Sequence, residues 1–369
     1  MKIVQVQAIA VAVPLRGTFQ IASGAIPSGR NVIIRCRTDT GVEGLGEASP
    51  VAATDADTQR SIVDIVTREF EPRLLGKDPL DLPTLLATVQ TAVPGNQCAK
   101  AGMDIALHDL AGKVLGLPVY QMLGGLFRRE IALPEADIWL DTPENMAACA
   151  RTAYEAGVRN FEIKIGVSPA MDYERVQAVR RAVGPQARIR ADCNEGYDAA
   201  NALRSLRKLE AFDLEYIEQP LPRWDCEGMA RLAAALDTPI CADQAAYTTH
   251  DVFRLLSMAA ADLICIKIPK SGLAGAQTIH ATCEAAGVRC TLGSMLPLGI
   301  GAAAIHHFAL HARNVDIECS GVYGSPLDYY QDDLVHGSMV GKDGVIRACD
   351  APGLGVRLDE AKLERYSVQ

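Results

Sequence analysis

Asp192, Glu218, Asp243 and Lys267 each close a short apolar run, in ARIRAD (187–192), DLEYIE (213–218), TPICAD (238–243) and ADLICIK (261–267). The steps from 192 to 218, 243 and 267 are 26, 25 and 24 residues. That is the length of one strand, one helix and two loops. Acids and an amine recurring once per βα unit, always at the strand's C-terminal end, belong on one rim of a parallel barrel. Three carboxylates gathered there repel one another unless a cation sits among them. Any one alone reads as a salt-bridged structural acid; three at consecutive strand ends read as a metal cage. Oxygen-only ligands favour Mg²⁺, with Mn²⁺ as a substitute.

The elements that must carry these residues can be followed along the chain. Thr142-Pro143-Glu144 opens a helix with a cap residue, a first-turn proline and an acid, and Gly157 ends it. The strand NFEIKIG follows, then a helix over roughly 171–183 closed by Gly184. With ALPEADIW as strand one, later strands end near 164, 192, 218, 243, 267, 292 and 318. Eight even βα units predict a (β/α)8 barrel over residues 126–325. Residues 1–125 read as an α+β domain. IVQVQAIAVAV and NVIIRCRTDTGVEGLGEA are antiparallel strands with a turn at Asp39-Thr40-Gly41, and helical periodicity runs over Asp55–Leu75 and Ala99–Leu123. Gly41, Gly44 and Gly46 form a G-x-x-G-x-G string, but no helix opens after it, which argues against a phosphate loop. Residues 326–369, Gly/Pro-bearing at APGLGV, are expected to leave the barrel and pack back on the N-terminal domain.

Composition narrows the function. The chain has 369 residues, 49% of them hydrophobic, and a net charge of −9 without a basic run, so nucleic acid is not an expected partner. No apolar stretch reaches the roughly 18 residues of a membrane span. The alternating start MKIVQVQAIAVAV reads as a strand and not a signal peptide. Eleven scattered cysteines without a C-x-x-C pair read as reduced thiols in a cytoplasmic protein; Cys193, Cys241 and Cys265 fall inside the barrel strands as small apolar packers.

Lys164 and Lys267 end strands two and six and flank the acid cage from opposite sides. A metal and two facing amines suit removal of a proton from the α-carbon of a carboxylate, with the enolate stabilised by the metal. A Schiff-base role for Lys267 is less favoured beside a metal cage.

EIKIG around Lys164, ADCNEGY with Asp192 and Asn194, EYIEQPLP with Glu218, PICADQ with Asp243 and ADLICIKIPKSG with Lys267 together resemble the enolase superfamily. The likeness is to the muconate cycloisomerase-like branch of its mandelate racemase/muconate lactonizing enzyme family, and it covers nearly the whole chain. Enolase-type sites pair a Lys or His base with Mg²⁺. The resemblance implies that Asp192, Glu218 and Asp243 bind the metal and that Lys164 and Lys267 are the acid/base pair. It further implies that Asn194 and Glu318 orient substrate, and that a capping loop near Phe19–Ala25, with Phe19 and Ile21, closes the site. CTLGSMLP has no strand-seven histidine; His306, His307 and His311 fall on the next helix and read as surface or packing residues. That separates the chain from the histidine-using branch.

Two positions depart from the family pattern. Glu162 stands where the first lysine of K-x-K is usual, and Gln244 where Glu is common. Glu162 points to the same interior as Lys164, and either faces a cationic group on the substrate or pairs with Lys164 or a nearby arginine. The resulting expectation is a Mg²⁺-dependent cycloisomerase, or a racemase or epimerase, of a small carboxylate or amino-acid derivative. The alternatives are a dehydratase and a non-catalytic metal-binding barrel. Family likeness suggests a homo-oligomer.

Overall fold

In a computed structural model the chain is described over residues 1–51, 57–132, 135–317 and 321–368. Three antiparallel strands, β1 (Ile3–Ile21), β2 (Gly24–Thr38) and β3 (Glu43–Ala48), form the first sheet. Val11, Val13 and Leu15 alternate inward along β1, as a period-two strand with one covered face requires. The Asp39-Thr40-Gly41 turn joins β2 to β3, with Gly41 at φ 82°. Helices α1 (Gln59–Ile65), a π turn at Val66–Phe70, α2 (Glu71–Leu74), α3 (Leu82–Ala92), α4 (Gln97–Leu115) and α5 (Val119–Met122) follow. The periodicity reading does not include α3, which buries only Leu85 and Val89. The start of the first expected helix, at Asp55, lies outside the described residues.

Helix α4 is buried from Cys98 to Gly112. The glycine string of β3 is its packing partner. A Cβ on Gly44 would lie 2.4 Å from the Ala106 carbonyl oxygen, and one on Gly46 2.1 Å from that of Gly102. These glycines serve close strand–helix approach and not anion binding.

The barrel sheet runs in chain order after a short strand β4 (Glu130–Ala132). Its parallel strands are β5 (Glu135–Ile138), β6 (Asn160–Lys164), β7 (Arg188–Asp192), β8 (Ile217–Glu218), β9 (Ile240–Ala242), β10 (Leu263–Ile266) and β11 (Arg289–Leu292). Helices α6 (Pro143–Glu155), α7 (Pro169–Val183), α8 (Ala202–Leu209), α9 (Cys226–Ala235), α10 (Thr249–Ser257), α11 (Ile268–Ala286) and α12 (Gly299–His311) alternate with them. Thr142 caps α6 by accepting from the Asn145 N–H, with Pro143 in the first turn. At the eighth position Val315 pairs parallel with Cys290, and Glu318 lies outside the described residues.

The tail, with β12 (Val335–His336), β13 (Val345–Arg347), β14 (Arg357–Leu358) and α13 (Glu360–Tyr366), returns to the first sheet. The Gln331 N–H donates to the Pro14 carbonyl and the Val368 N–H to that of Ala10, both at 2.9 Å. Strand β13 pairs with β4. The ten described cysteines are free thiols. No helix among the described residues is long and apolar enough to cross a membrane.

Carboxylates hold the N-terminal unit to the barrel by capping helix starts, where backbone N–H groups lack partners. Glu47 of β3 accepts from the Leu298 N–H (2.6 Å) and Gly301 N–H (2.7 Å) at the head of α12, and from Asn31 Nδ2 (2.7 Å). Asp333 of the tail accepts from the Gly299 N–H at 2.9 Å. Asp104 of α4 accepts from the Leu273 and Ala274 N–H groups at 2.9 and 3.3 Å. Helix α11 is broken there by Gly272, at φ 67°. A Cβ on Gly272 would lie 2.7 Å from Asp104 Cγ, so the break also makes room for the cap.

Burial pushes the Glu47 carboxyl up to about 7, outweighing the donors that favour its ionised form. The folded chain therefore keeps a proton that the unfolded chain, near an ordinary ~4.3, has released. Stability should fall as pH rises from about 4.5 to 7, by up to roughly 3 kcal/mol from this group. Urea unfolding at pH 5 and 7.5 should show a shallower fall for Glu47→Gln than for the native chain; equal falls would contradict the assignment.

Candidate active site

The strand register sets the site. Lys164 pairs with Asp192 across β6–β7, and Asp192 with Glu218 across β7–β8. Asp243 and Lys267 stand one residue beyond β9 and β10. Thus Lys164, Asp192, Glu218, Asp243 and Lys267 meet at one end of the barrel, as the spacing predicts. Asp192, Glu218 and Asp243 are all buried.

Each lysine is tied to a carboxylate. Lys164 Nζ donates to Asp192 Oδ2 at 2.7 Å and to Glu162 Oε1. Lys267 Nζ donates to Asp243 Oδ2 at 2.6 Å. Lys270, which the sequence reading does not single out, donates to Asp243 Oδ1 and to its carbonyl oxygen, both at 2.7 Å. Burial pulls both Lys164 and Lys267 down, but the carboxylates around them, Asp192 and Glu162 for one and Asp243 for the other, hold each well above its ordinary value. Burial alone would raise Asp243; Lys267 and Lys270 outweigh it and keep this acid ionised.

Glu218 is the exception. Among the described residues no cation lies within salt-bridge distance of it. Burial, then the charges of Asp192 and Asp243, pushes its carboxyl well above the usual range. Glu218, Asp243 and Cys265 offer ligand atoms within 4.8 Å of one another. The Cys265 thiol is driven well above its ordinary value by burial and the Glu218 charge, which disfavours the thiolate that a soft metal would need. The available donors are hard carboxylate oxygens, one of them on a carboxyl that no protein cation pairs with among the described residues, a set that suits Mg²⁺.

Neighbouring groups position the cage. Asn194, at φ 43°, donates through its backbone N–H to Asp192 Oδ1 and through Nδ2 to Oδ2, both at 2.8 Å. Gln219 Oε1 accepts from the Asp243 and Ala245 N–H groups at 3.0 Å. Asn194 Oδ1 and Gln244 Oε1 are buried with no donor among the described residues. Glu162 is gripped by Lys164 and by Arg190 Nε, at 3.0 Å, which hold it down at about 2 against the effect of burial. Glu162 thus makes the expected pairing with lysine and arginine, and it also lines the cavity at the cage, where the other role would place it.

A cavity of ≈ 160 Å³ opens on Lys164, Glu218, Asp243 and Lys267 and is also lined by Ile21, Glu135, Asp137, Trp139, Glu162, Asn194 and Gln244. Phe19 sits behind Trp139 at 4.4 Å between ring centroids and against Tyr329 at 5.8 Å. Glu135, Asp137 and Trp139 are absent from the sequence reading, although the alternation E-A-D-I-W marks them as one strand face. His306 and His307 are buried within α12, where desolvation lowers both to about 4. They are packing residues.

Residues 3–124 match the mandelate racemase/muconate lactonizing enzyme N-terminal domain, and residues 145–362 the enolase C-terminal domain-like family. The L-Ala-D/L-Glu epimerase of Bacillus subtilis is 34% identical over 96% of this chain and 97% of its own length. A chloromuconate cycloisomerase of Cupriavidus pinatubonensis is 30% identical over 97% and 96%. The solved dipeptide epimerase of Cytophaga hutchinsonii, complexed with Mg and D-Ala-L-Val, superposes with a TM-score of 0.93 at 29% identity, covering 99% of this chain and 98% of that one.

Mg²⁺ at 100 times its Kd should stabilise the chain by about 2.7 kcal/mol, read as a Tm rise that EDTA reverses. Glu218→Gln should raise the Tm of the metal-free protein, because it removes a buried carboxyl that no protein cation pairs with among the described residues, and should abolish the Mg²⁺ increment. A metal-free Tm lower than the native one, with the increment intact, would reject this reading of Glu218.

Proposed function

This chain belongs to the mandelate racemase/muconate lactonizing enzyme family of the enolase superfamily and is an isomerase; from that premise we propose that it racemises or epimerises the α-carbon of a small amino-acid-derived carboxylate. Mg²⁺-dependent proton abstraction is the family's general mechanism. We assign Asp192, Glu218 and Asp243 as the residues that hold the metal, and Lys164 and Lys267 as the acid/base pair. One observation carries the assignment. Strands β6 and β10 are the second and sixth of the barrel, half a turn apart, and each delivers a lysine onto a carboxylate of the same buried cage.

The chemistry follows from that placement. A substrate carboxylate seated at the cage puts its α-carbon between two amines. One lysine takes the α-proton from its own face and the other returns a proton from the opposite face. Either amine can act as a base only once the charge of the carboxylate holding it protonated is met from elsewhere. When bound, the divalent ion supplies that charge and stabilises the negative charge growing on the substrate carboxylate. Asn194 and Gln219 keep Asp192 and the Asp243 backbone in register while this happens.

The likeness to a chloromuconate cycloisomerase supports a second outcome, ring closure, from the same proton-transfer pair. Product analysis separates the two.

The test is α-proton exchange in D₂O with Mg²⁺, followed by NMR on each enantiomer of a carboxylate panel. Lys164→Met and Lys267→Met should each lower turnover by about 10²- to 10⁴-fold. Each variant should also lose exchange from a different enantiomer. Equal residual exchange from both enantiomers in both variants would rule out the two-sided arrangement.

A further inference from the structure

We propose that the strand-one side of the cavity is a subsite for an organic cation, so that the substrate carries an ammonium group there as well as the carboxylate at the cage. This deepens the isomerase reading above and rests on it.

Glu135, Asp137 and Trp139 alternate along β5 and its end, and all three face the cavity. Asp137 lies directly across from Glu162 in the β5–β6 register. Glu135, Asp137 and Glu162 offer carboxylate oxygens within 4.8 Å of one another. The cations already present are unevenly shared. Glu162 has Lys164 and Arg190, and Glu135 Oε1 has Arg190. Asp137 forms no ion pair among the described residues; the Tyr329 hydroxyl donates to its Oδ2 at 2.7 Å. Glu135 Oε2 is buried with no donor among the described residues. A substrate amine therefore meets Asp137 and Glu135, with Glu162 already committed.

A second observation on the same cavity is independent of this acid group. Asn194 and Gln244, only 6% and 5% exposed, line it and leave Oδ1 and Oε1 without donors among the described residues. With Glu135 ionised, its Oε2 joins them, and the unpaired buried atoms on the wall are then all acceptors among the described residues. A ligand that satisfies them brings N–H or O–H groups. Burial and the neighbouring acids push Glu135 up to about 8 and Asp137 above its usual range, a strain that an added positive charge relieves.

The rings decide what kind of cation. The Lys164 ammonium already stands 5.8 Å from the Trp139 ring centroid, and Phe19 backs that ring. An alkylammonium gains from a carboxylate and an aromatic face together. A second hydrated Mg²⁺ gains nothing from the ring and would meet Lys164 and Arg190.

The experiment compares α-proton exchange, with Mg²⁺ in D₂O, for amino acids, cyclic imino acids and dipeptides against the same compounds N-acetylated. The native enzyme should favour the free amine by about tenfold or more in kcat/KM. Asp137→Asn and Glu135→Gln should erase that preference, mainly through KM, and leave the acetylated partner within about threefold of its native value. Exchange that favours the acetylated partner, or variants that depress both partners equally, would overturn the subsite while leaving the isomerase reading intact. No exchange from any compound would remove both. Calorimetry should find one Mg²⁺ per chain; two, falling to one in the double variant, would make the acids a metal site and overturn the proposal.

Discussion

Buried negative charge at one end of the barrel is the constraint on which the rest of the site depends. Glu135, Asp137, Glu162, Asp192, Glu218 and Asp243 crowd into one low-dielectric space with Lys164, Arg190, Lys267 and Lys270. Carboxylates desolvated this way persist only when paired or neutralised. The pairing is selective. Asp192 holds one lysine and Asp243 two, whereas Glu218 has no ion pair among the described residues and Asp137 only a hydroxyl. Where protein cations stop short, the site is open to charge from outside, and the proposed metal site and cation subsite rest on those two gaps.

The same device recurs away from the chemistry. Asp104, Glu47 and Asp333 direct their carboxyl oxygens at helix starts, and these contacts join α4, the first sheet and the tail to the barrel. Their partners on the barrel are backbone N–H groups, which do not depend on the side chains carried there. The apolar core fills the space between the units; the capping acids fix how they are aimed.

Much of the site was legible because strand ends carry it. A register of 24 to 26 residues places Asp192, Glu218, Asp243 and Lys267 without knowledge of a single tertiary contact. Glu162 marks where such reading stops. Its pairing with Arg190, one strand away, is set by the β6–β7 register and not by any local sequence signal. Glu135, Asp137 and Trp139 were hidden differently. ALPEADIW reads as strand one, but the acids of Glu135–Ile138 lie within the strand and not at the strand-end positions that the spacing follows. Lys270 was masked by Lys267, since helix geometry three residues on brings both to one acid. Helix α3, with two buried residues, gave too narrow an apolar stripe to register.

The break in α11 at Gly272 bears on how Lys267 and Lys270 are aimed. The short turn Ile268–Ser271 carries Lys270 and begins at Lys267, and the helix that resumes beyond it starts on N–H groups capped by Asp104 from the other unit. Without that unit the resumed helix would start on bare N–H groups. The aim of Lys267 and Lys270 on Asp243 is thus tied, through one backbone break, to a carboxylate on the far side of the interface.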